Sequence, residues 1–391
     1  MSTIEDITIH LRTITLRRPF VTAVRRVDAV EGLLVEVRDS DGRRGWGEAP
    51  TSWRVTGESV PGVTAAITGP LREAVLGLTC DDPEDASEAL ERAVVRNSSA
   101  RMALDCAIYD LAAQGRGVGV AQYLRDAGTP HEPKEADHRP RSPRRRDELA
   151  LSVRTDVTLS AVRDELEEDA LVASATQYVR DGVDTLKIKV GAGGDDVRAL
   201  TRVRRAVGTG VTLRIDANQA WTPQRALAVI GALEDAGVDV SVIEQPVHRD
   251  DLDGLALVTR HSHTPIMADE SLWTRRDLRE ILHAHAADWI NIKLAKTGGL
   301  REALALYHAA RDAGLGVIIG CMAETHVGIA AAAALAALVD ERGPHPTLAH
   351  DLDGGLLLTR SPVRGGVHYE GARISLGTAA GLGIEGLDDA P

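Results

Sequence analysis

Asp216, Glu244 and Asp269 close three successive short apolar runs, LRID, SVIE and IMAD, while Lys189 and Lys293 close the runs on either side, TLKIK and WINIK. From Lys189 to Lys293 the intervals between these five residues are 27, 28, 25 and 24. That is the repeat of a β-strand followed by a helix, so consecutive strand ends should lie side by side in a parallel sheet. Three carboxylates converging from adjacent strands repel one another unless a cation sits among them. Hard oxygen donors with no histidine or cysteine favour Mg²⁺. Asp is also a favoured helix N-cap just after a strand, but three caps in register at three adjacent strand ends make the weaker explanation.

Only five of the 45 basic residues are lysine, and four of these, Lys187, Lys189, Lys293 and Lys296, fall in or just after two of the strand-like runs. Unlike arginine, lysine readily loses its proton at a perturbed site. If those runs are the second and sixth strands of an eight-stranded ring, Lys189 and Lys293 face each other across the cavity with the carboxylates on the arc between them. The chemistry this suits is removal of the α-proton of a carboxylate, a very weak acid whose enediolate must be stabilised as it forms. One lysine takes the proton from one face and the other returns one to the opposite face, inverting the configuration. Lys187 shares the inward face with Lys189, because strand side chains alternate, and repulsion between them should lower at least one pKa. Lys296, in the loop LAKTGG, is expected at the surface or behind the site.

Eight strand-like runs (SVRTDVTL, TLKIKV, VTLRID, VSVIEQ, TPIMAD, ADWINIK, GVIIG and PTLAHD) alternate with amphipathic helical stretches over residues 151–359. This predicts an α/β barrel, in which the active site lies at the C-terminal ends of the strands. Asn218 and Glu270, just beyond two of those ends, should stand behind the metal ligands. Before the barrel, alternating residues from Ile4 to Glu48 with a turn at Asp41-Gly42 predict antiparallel strands, and helical periodicity follows over Val60–Leu78 and Pro83–Leu124. Residues 1–128 thus form an α+β domain. Residues 129–150, with four prolines and eleven charged residues, read as a disordered interdomain loop, and residues 360–391 as a strand-like return to the first domain.

The composition narrows the function classes. The chain has 391 residues and a net charge of −13, against nucleic-acid binding. Three dispersed cysteines, Cys80, Cys106 and Cys321, form neither a disulfide framework nor a metal site and fit a reducing cytoplasm. The first twenty residues lack the apolar core of a signal peptide. The longest apolar run, Val327–Val339, is 13 residues, short of the ~20 that span a bilayer.

In order and spacing, TLKIKVG, LRIDANQAW, IEQPV, MADES, INIKLAKTGG and GCMAET resemble the enolase superfamily, in its muconate-lactonising subgroup. The likeness runs over nearly the whole chain, from GWGEAP to the C-terminal return. It implies a modified TIM barrel, (β/α)₇β, under an α+β capping domain; Mg²⁺ on Asp216, Glu244 and Asp269; and Lys189 and Lys293 as the acid/base pair, assisted by Lys187. It also implies a homo-oligomer. The HDLDGG segment places Asp351 and Asp353 two apart, a pattern that resembles the ammonium-binding pair of dipeptide epimerases. TAVRR and APTSWRVTGES resemble substrate-covering loops, with Arg25 matching an arginine that would meet a side-chain carboxylate. Cys321 and Met322 are expected to line the pocket, with no histidine placed to make Cys321 a nucleophile. The expected activity is epimerisation of the C-terminal residue of a dipeptide such as L-Ala-D/L-Glu; the alternative is an N-acylamino acid racemase or o-succinylbenzoate synthase.

Overall fold

The computed structural model describes residues 1–21, 26–128, 152–339 and 348–388. Arg25 and the expected interdomain loop lie outside these residues.

β1 (Ile4–Val21), β2 (Arg26–Asp39) and β3 (Arg44–Pro50) form an antiparallel sheet, in register Ile7↔Val37, Leu33↔Ala49 and Glu36↔Trp46; over β2 and β3 both faces are buried, Leu33 and Val35 in the core of the first domain and Leu34 and Trp46 against Val327 and Val363. At the expected turn Gly42 takes a φ of 81°, a conformation glycine adopts at little cost. Gly45 and Gly47 let the helix Ser98–Gly115 lie directly on β3, since a Cβ on either would collide with the carbonyl oxygens of Ala107 or Ala103. The helical expectation over Pro83–Leu124 is met by three helices, Glu84–Ala93, Ser98–Gly115 and Val120–Gly128. Breaks fall where Arg96, Asn97 and Gly117 adopt positive φ.

Seven parallel strands follow in sequence order: β5 (Val157–Leu159), β6 (Thr185–Lys189), β7 (Thr212–Asp216), β8 (Val240–Glu244), β9 (Ile266–Ala268), β10 (Trp289–Lys293) and β11 (Gly316–Gly320). Parallel bridges Gly320↔Asp351 and Thr155↔His350 join the two edges, so His350 and Asp351 serve as the eighth strand. This is the modified (β/α)₇β barrel. The expected first strand is divided. Its front part, β4 (Ser152–Arg154), leaves the barrel to pair with residues Arg373–Ser375 of the tail, and only Val157–Leu159 joins the sheet. The tail also touches the first domain: Leu382 N donates to Asp110 Oδ1 at 2.9 Å, and Val120 N to Gly381 O at 3.0 Å. The alanine-rich helix His326–Ala336 is buried almost throughout, and no helix of the described residues is long and apolar enough to cross a membrane.

Candidate active site

Register decides which side chains meet. Lys189 pairs with Asp216, and Asp216 with Glu244, at the C-terminal ends of β6, β7 and β8. One oxygen each of Asp216, Glu244 and Asp269 lie within 4.8 Å of one another, all three residues being buried. These carboxylates do not cap helices. The side chains of Asp195, Thr222, Asp251 and Thr274, farther along each loop, cap the four helices that follow.

Lys187 is the centre of charge. Its Nζ lies 2.6 Å from Glu244 Oε2, 2.8 Å from Asp351 Oδ2 and 3.0 Å from Asp216 Oδ2. Burial works to depress its pKa, but the field of Asp351, Glu244 and Asp216 outweighs it and holds the ammonium well above its ordinary value. The lowering expected from lysine–lysine repulsion is therefore not what Lys187 shows: the surrounding carboxylates dominate. Lys189 Nζ contacts Asp216 Oδ2 at 2.6 Å, and Lys293 Nζ contacts Asp269 Oδ2 at 2.8 Å. β6 and β10 are four strands apart in the sheet, which sets the two lysines on opposite sides. Lys293, too, is held above its usual value, because Asp269 and Asp351 outweigh burial.

Lys296 is not at the surface. It is buried, with Nζ 2.5 Å from Asp269 Oδ1 and 3.0 Å from Asn291 O. The four-residue helix Leu294–Thr297 turns it back under Asp269. Of the two places expected for Lys296, the one behind the site is thus the one it takes. Asn291, which the sequence reading missed, donates to Glu244 Oε1 at 3.0 Å and Asp351 Oδ2 at 3.3 Å; its place two residues before Lys293, on the same strand face, was the available signal. Below them Arg214 forms a buried ion pair with Asp156 and donates to Ala349 O.

Behind the triad, Asn218 Nδ2 donates to Glu270 Oε1 at 3.2 Å. Burial and then the Asp269 charge push Glu270 up to about 7. Asn218, Gln219 and Gln245 all have left-handed φ, of 42°, 69° and 36°; such strain costs about 1–3 kcal/mol per residue and collects at functional sites. Gln245 Oε1 accepts the backbone N–H groups of Asp269 and Ser271, fixing the loop that carries Asp269.

A cavity of about 110 Å³, open to solvent, lies over these groups. Lys189, Asn218, Asp269, Glu270, Lys293, Cys321, Met322, Asp351 and Asp353 line its barrel side, and Leu16, Val27, Val30, Arg54 and Val55 its roof. Asp353 Oδ2 accepts the Thr158 N–H at 2.6 Å, and burial with the Asp351 charge raises it to about 6. Asp351 itself is kept low: burial opposes ionisation, and Lys187 and Lys293 overcome it. The Cys321 thiol is pushed well up by burial and by Asp351, which leaves it protonated and a poor nucleophile.

A second buried acidic pair links cap and barrel. Glu48 of β3 accepts Thr325 Oγ1 at 2.6 Å and Gly328 N at 2.9 Å. Beside it, Glu324 accepts Met322 N at 2.7 Å, and its Oε2 has no hydrogen-bond partner. Burial, then the Glu48 charge, raises Glu324 to about 8. A carboxyl raised on folding contributes stability that is present below its ordinary pKa and is lost as pH climbs toward 8. The slope is at most about 1.4 kcal/mol per pH unit. Glu324→Gln keeps the acceptor for Met322 and cannot ionise. Its melting temperature relative to wild type is therefore expected to rise between pH 5 and 8 and to level off above; a difference constant with pH would refute the assignment.

Residues 4–124 match the family described as mandelate racemase / muconate lactonizing enzyme, N-terminal domain, and residues 170–390 match the enolase C-terminal domain-like family. The chain is 37% identical to the L-Ala-D/L-Glu epimerase of Bacillus subtilis over 95% of its length and 94% of that protein's. The structure of a substrate-liganded complex of that epimerase superposes with a TM-score of 0.87 over 99% of both chains, at 35% identity. A dipeptide epimerase from Enterococcus faecalis, complexed with Mg and the dipeptide L-Leu-L-Tyr, gives 0.85 over 98% of this chain and 99% of its own, again at 35% identity.

Proposed function

The chain belongs to the enolase superfamily, in its mandelate racemase / muconate lactonizing branch, and from that membership we propose the reaction that its cavity carries out. It is an isomerase, a dipeptide epimerase that inverts the α-carbon of the C-terminal residue, with L-Ala-D/L-Glu the leading substrate. The observation that carries this reading is the pair of opposed lysines, Lys189 and Lys293, flanking a buried triad of carboxylates in a cavity whose far wall holds Asp351 and Asp353.

The donor set fits Mg²⁺: Asp216, Glu244 and Asp269 would hold it through three hard oxygens within 4.8 Å of one another. Bound there, Mg²⁺ supplies the positive charge that makes a neighbouring carboxylate's α-proton removable. The two lysines do the rest. One, as free amine, takes the proton from one face of the α-carbon; the other, as ammonium, delivers a proton to the opposite face. For Lys293 the amine form requires that its ion pair with Asp269, which holds it charged, be given up, as it would be if a cation took that carboxylate. Their roles exchange in the reverse direction. Lys187 keeps the carboxylates together and stays charged, its pKa being raised. Lys296 holds Asp269 from below.

Asp351 and Asp353 form the end that accepts the substrate's free ammonium. This favours a dipeptide over an N-acylated amino acid, which has no charge to place there. Residues 1–128 with the tail 360–391 act as the cap over the barrel of residues 151–359. Mg²⁺ as the native ion, a homo-oligomeric state and a cytoplasmic location complete the reading, the last supported by three buried free cysteines.

The test is proton NMR in D₂O with Mg²⁺, following α-proton exchange in L-Ala-L-Glu and its N-acetyl derivative. Exchange at the C-terminal residue of the free-amine compound is expected; exchange in the acetylated compound alone would move the function to the racemase. Asp353→Asn retains an acceptor for Thr158 N–H but removes the charge. It is expected to raise KM for L-Ala-L-Glu about tenfold with kcat little changed, since a charge-assisted contact contributes about 1.5–3 kcal/mol. An unaltered KM would remove Asp353 from the ammonium site.

A further inference from the structure

The far wall of the cavity is held by a residue of the tail. Asp353 stands in the segment Leu352–Gly355, and the Tyr369 hydroxyl bridges that segment: it donates to Leu352 O at 2.6 Å and accepts Gly355 N at 3.2 Å. A phenolic hydroxyl can donate and accept at once, so one oxygen grips the backbone on both sides of Asp353. Elsewhere the segment is anchored to the barrel, where Leu352 N donates to Thr155 Oγ1 at 2.9 Å and Asp353 Oδ2 accepts the Thr158 N–H at 2.6 Å.

The divided first strand is what brings the tyrosine there. Tyr369 pairs with Ile374 across the antiparallel strands His368–Glu370 and Arg373–Ser375, and Ile374 pairs with Val153 of β4. The ring then lies directly on Gly355, where a Cβ would come within 2.5 Å of Tyr369 Cε2. Its other neighbour is His326, met edge-on with ring centroids 5.6 Å apart, a favourable aromatic geometry. Burial, then the Cys321 and Asp353 charges, raises the phenol well above its ordinary range, which keeps the donor proton in place.

We propose that Tyr369 is a positioning residue for the substrate's ammonium, acting through Asp353: its hydroxyl fixes the Leu352–Gly355 backbone and so the place of the Asp353 carboxylate in the cavity wall. This rests on the dipeptide epimerase reading, in which Asp353 meets the ammonium. Tyr369 itself does not line the cavity, so its effect on substrate passes through the segment it holds.

The experiment measures KM and kcat for L-Ala-L-Glu in wild type, Tyr369→Phe, Asp353→Asn and the double variant. Tyr369→Phe keeps the ring and removes both hydrogen bonds. It is expected to raise KM about three- to tenfold with kcat within about twofold of wild type. The double variant should match the KM of Asp353→Asn within about twofold, because a residue that works through Asp353 has nothing left to act on once that charge is gone. Gly355→Ala, whose Cβ displaces the same ring, should show the same pattern and carries the test if Tyr369→Phe does not fold. With Asp353→Asn impaired, an unaltered KM in Tyr369→Phe, a fall in kcat at constant KM, or losses that multiply in the double variant would overturn the role of Tyr369 alone. If Asp353→Asn leaves KM unaltered, or wild type does not epimerise L-Ala-L-Glu, the reading beneath falls and this assignment with it.

Discussion

Lys293→Ala is expected to lower kcat for epimerisation of L-Ala-L-Glu by about 10²–10⁴-fold, the range that a positioned proton-transfer group contributes, while leaving the fold intact. The fold survives because Asp269 has two ammonium partners. With Lys293 gone, Lys296 still lies 2.5 Å from Asp269 Oδ1. Lys189→Ala is protected in the same way, since Asp216 keeps Lys187 at 3.0 Å. Each variant retains the base for one face only. In D₂O one of them should still wash deuterium into the L epimer and the other into the D epimer, with neither converting one epimer to the other. The pair of exchange rates, measured by NMR from each epimer, checks this. Exchange of both epimers in Lys293→Ala would dismiss the two-base mechanism.

Lys187→Met should produce the largest loss of stability. The side chain is 1% exposed and touches three carboxylates. Without it Asp216 retains Lys189, and Asp351 retains Lys293 at 3.9 Å. Glu244 retains only the Asn291 amide. Removing one partner of a buried ion pair costs about 3–5 kcal/mol, so the melting temperature should fall by about 4–6 °C in a chain of this length. Added Mg²⁺ should restore more of that loss in the variant than it adds to wild type, because a bound divalent cation at Asp216, Glu244 and Asp269 replaces the missing charge. Thermal unfolding with and without Mg²⁺ decides it. An unchanged melting temperature, or equal Mg²⁺ gains, would mean that Lys187 does not balance the triad.

The alternation of short apolar strands with amphipathic helices made the barrel legible in the chain, and the regular 24- to 28-residue spacing made its acidic and lysine strand ends legible too. Both are local properties. A strand's period of two aims Lys187 and Lys189 inward, and a βα repeat puts successive strand ends beside one another. Other features arise between elements far apart in the chain and had no local signal. Lys296 reaches Asp269 only because a single helical turn follows β10. The first strand divides because the tail supplies an antiparallel partner for Ser152–Arg154. Glu48 meets the loop of Glu324 and Thr325 only when the cap docks on the barrel. The charge state of Lys187 is the sharpest instance. Its sequence neighbour Lys189 argues for a lowered pKa, but Asp216, Glu244 and Asp351 raise it. Coulomb forces fall off with distance in space and take no account of separation along the chain.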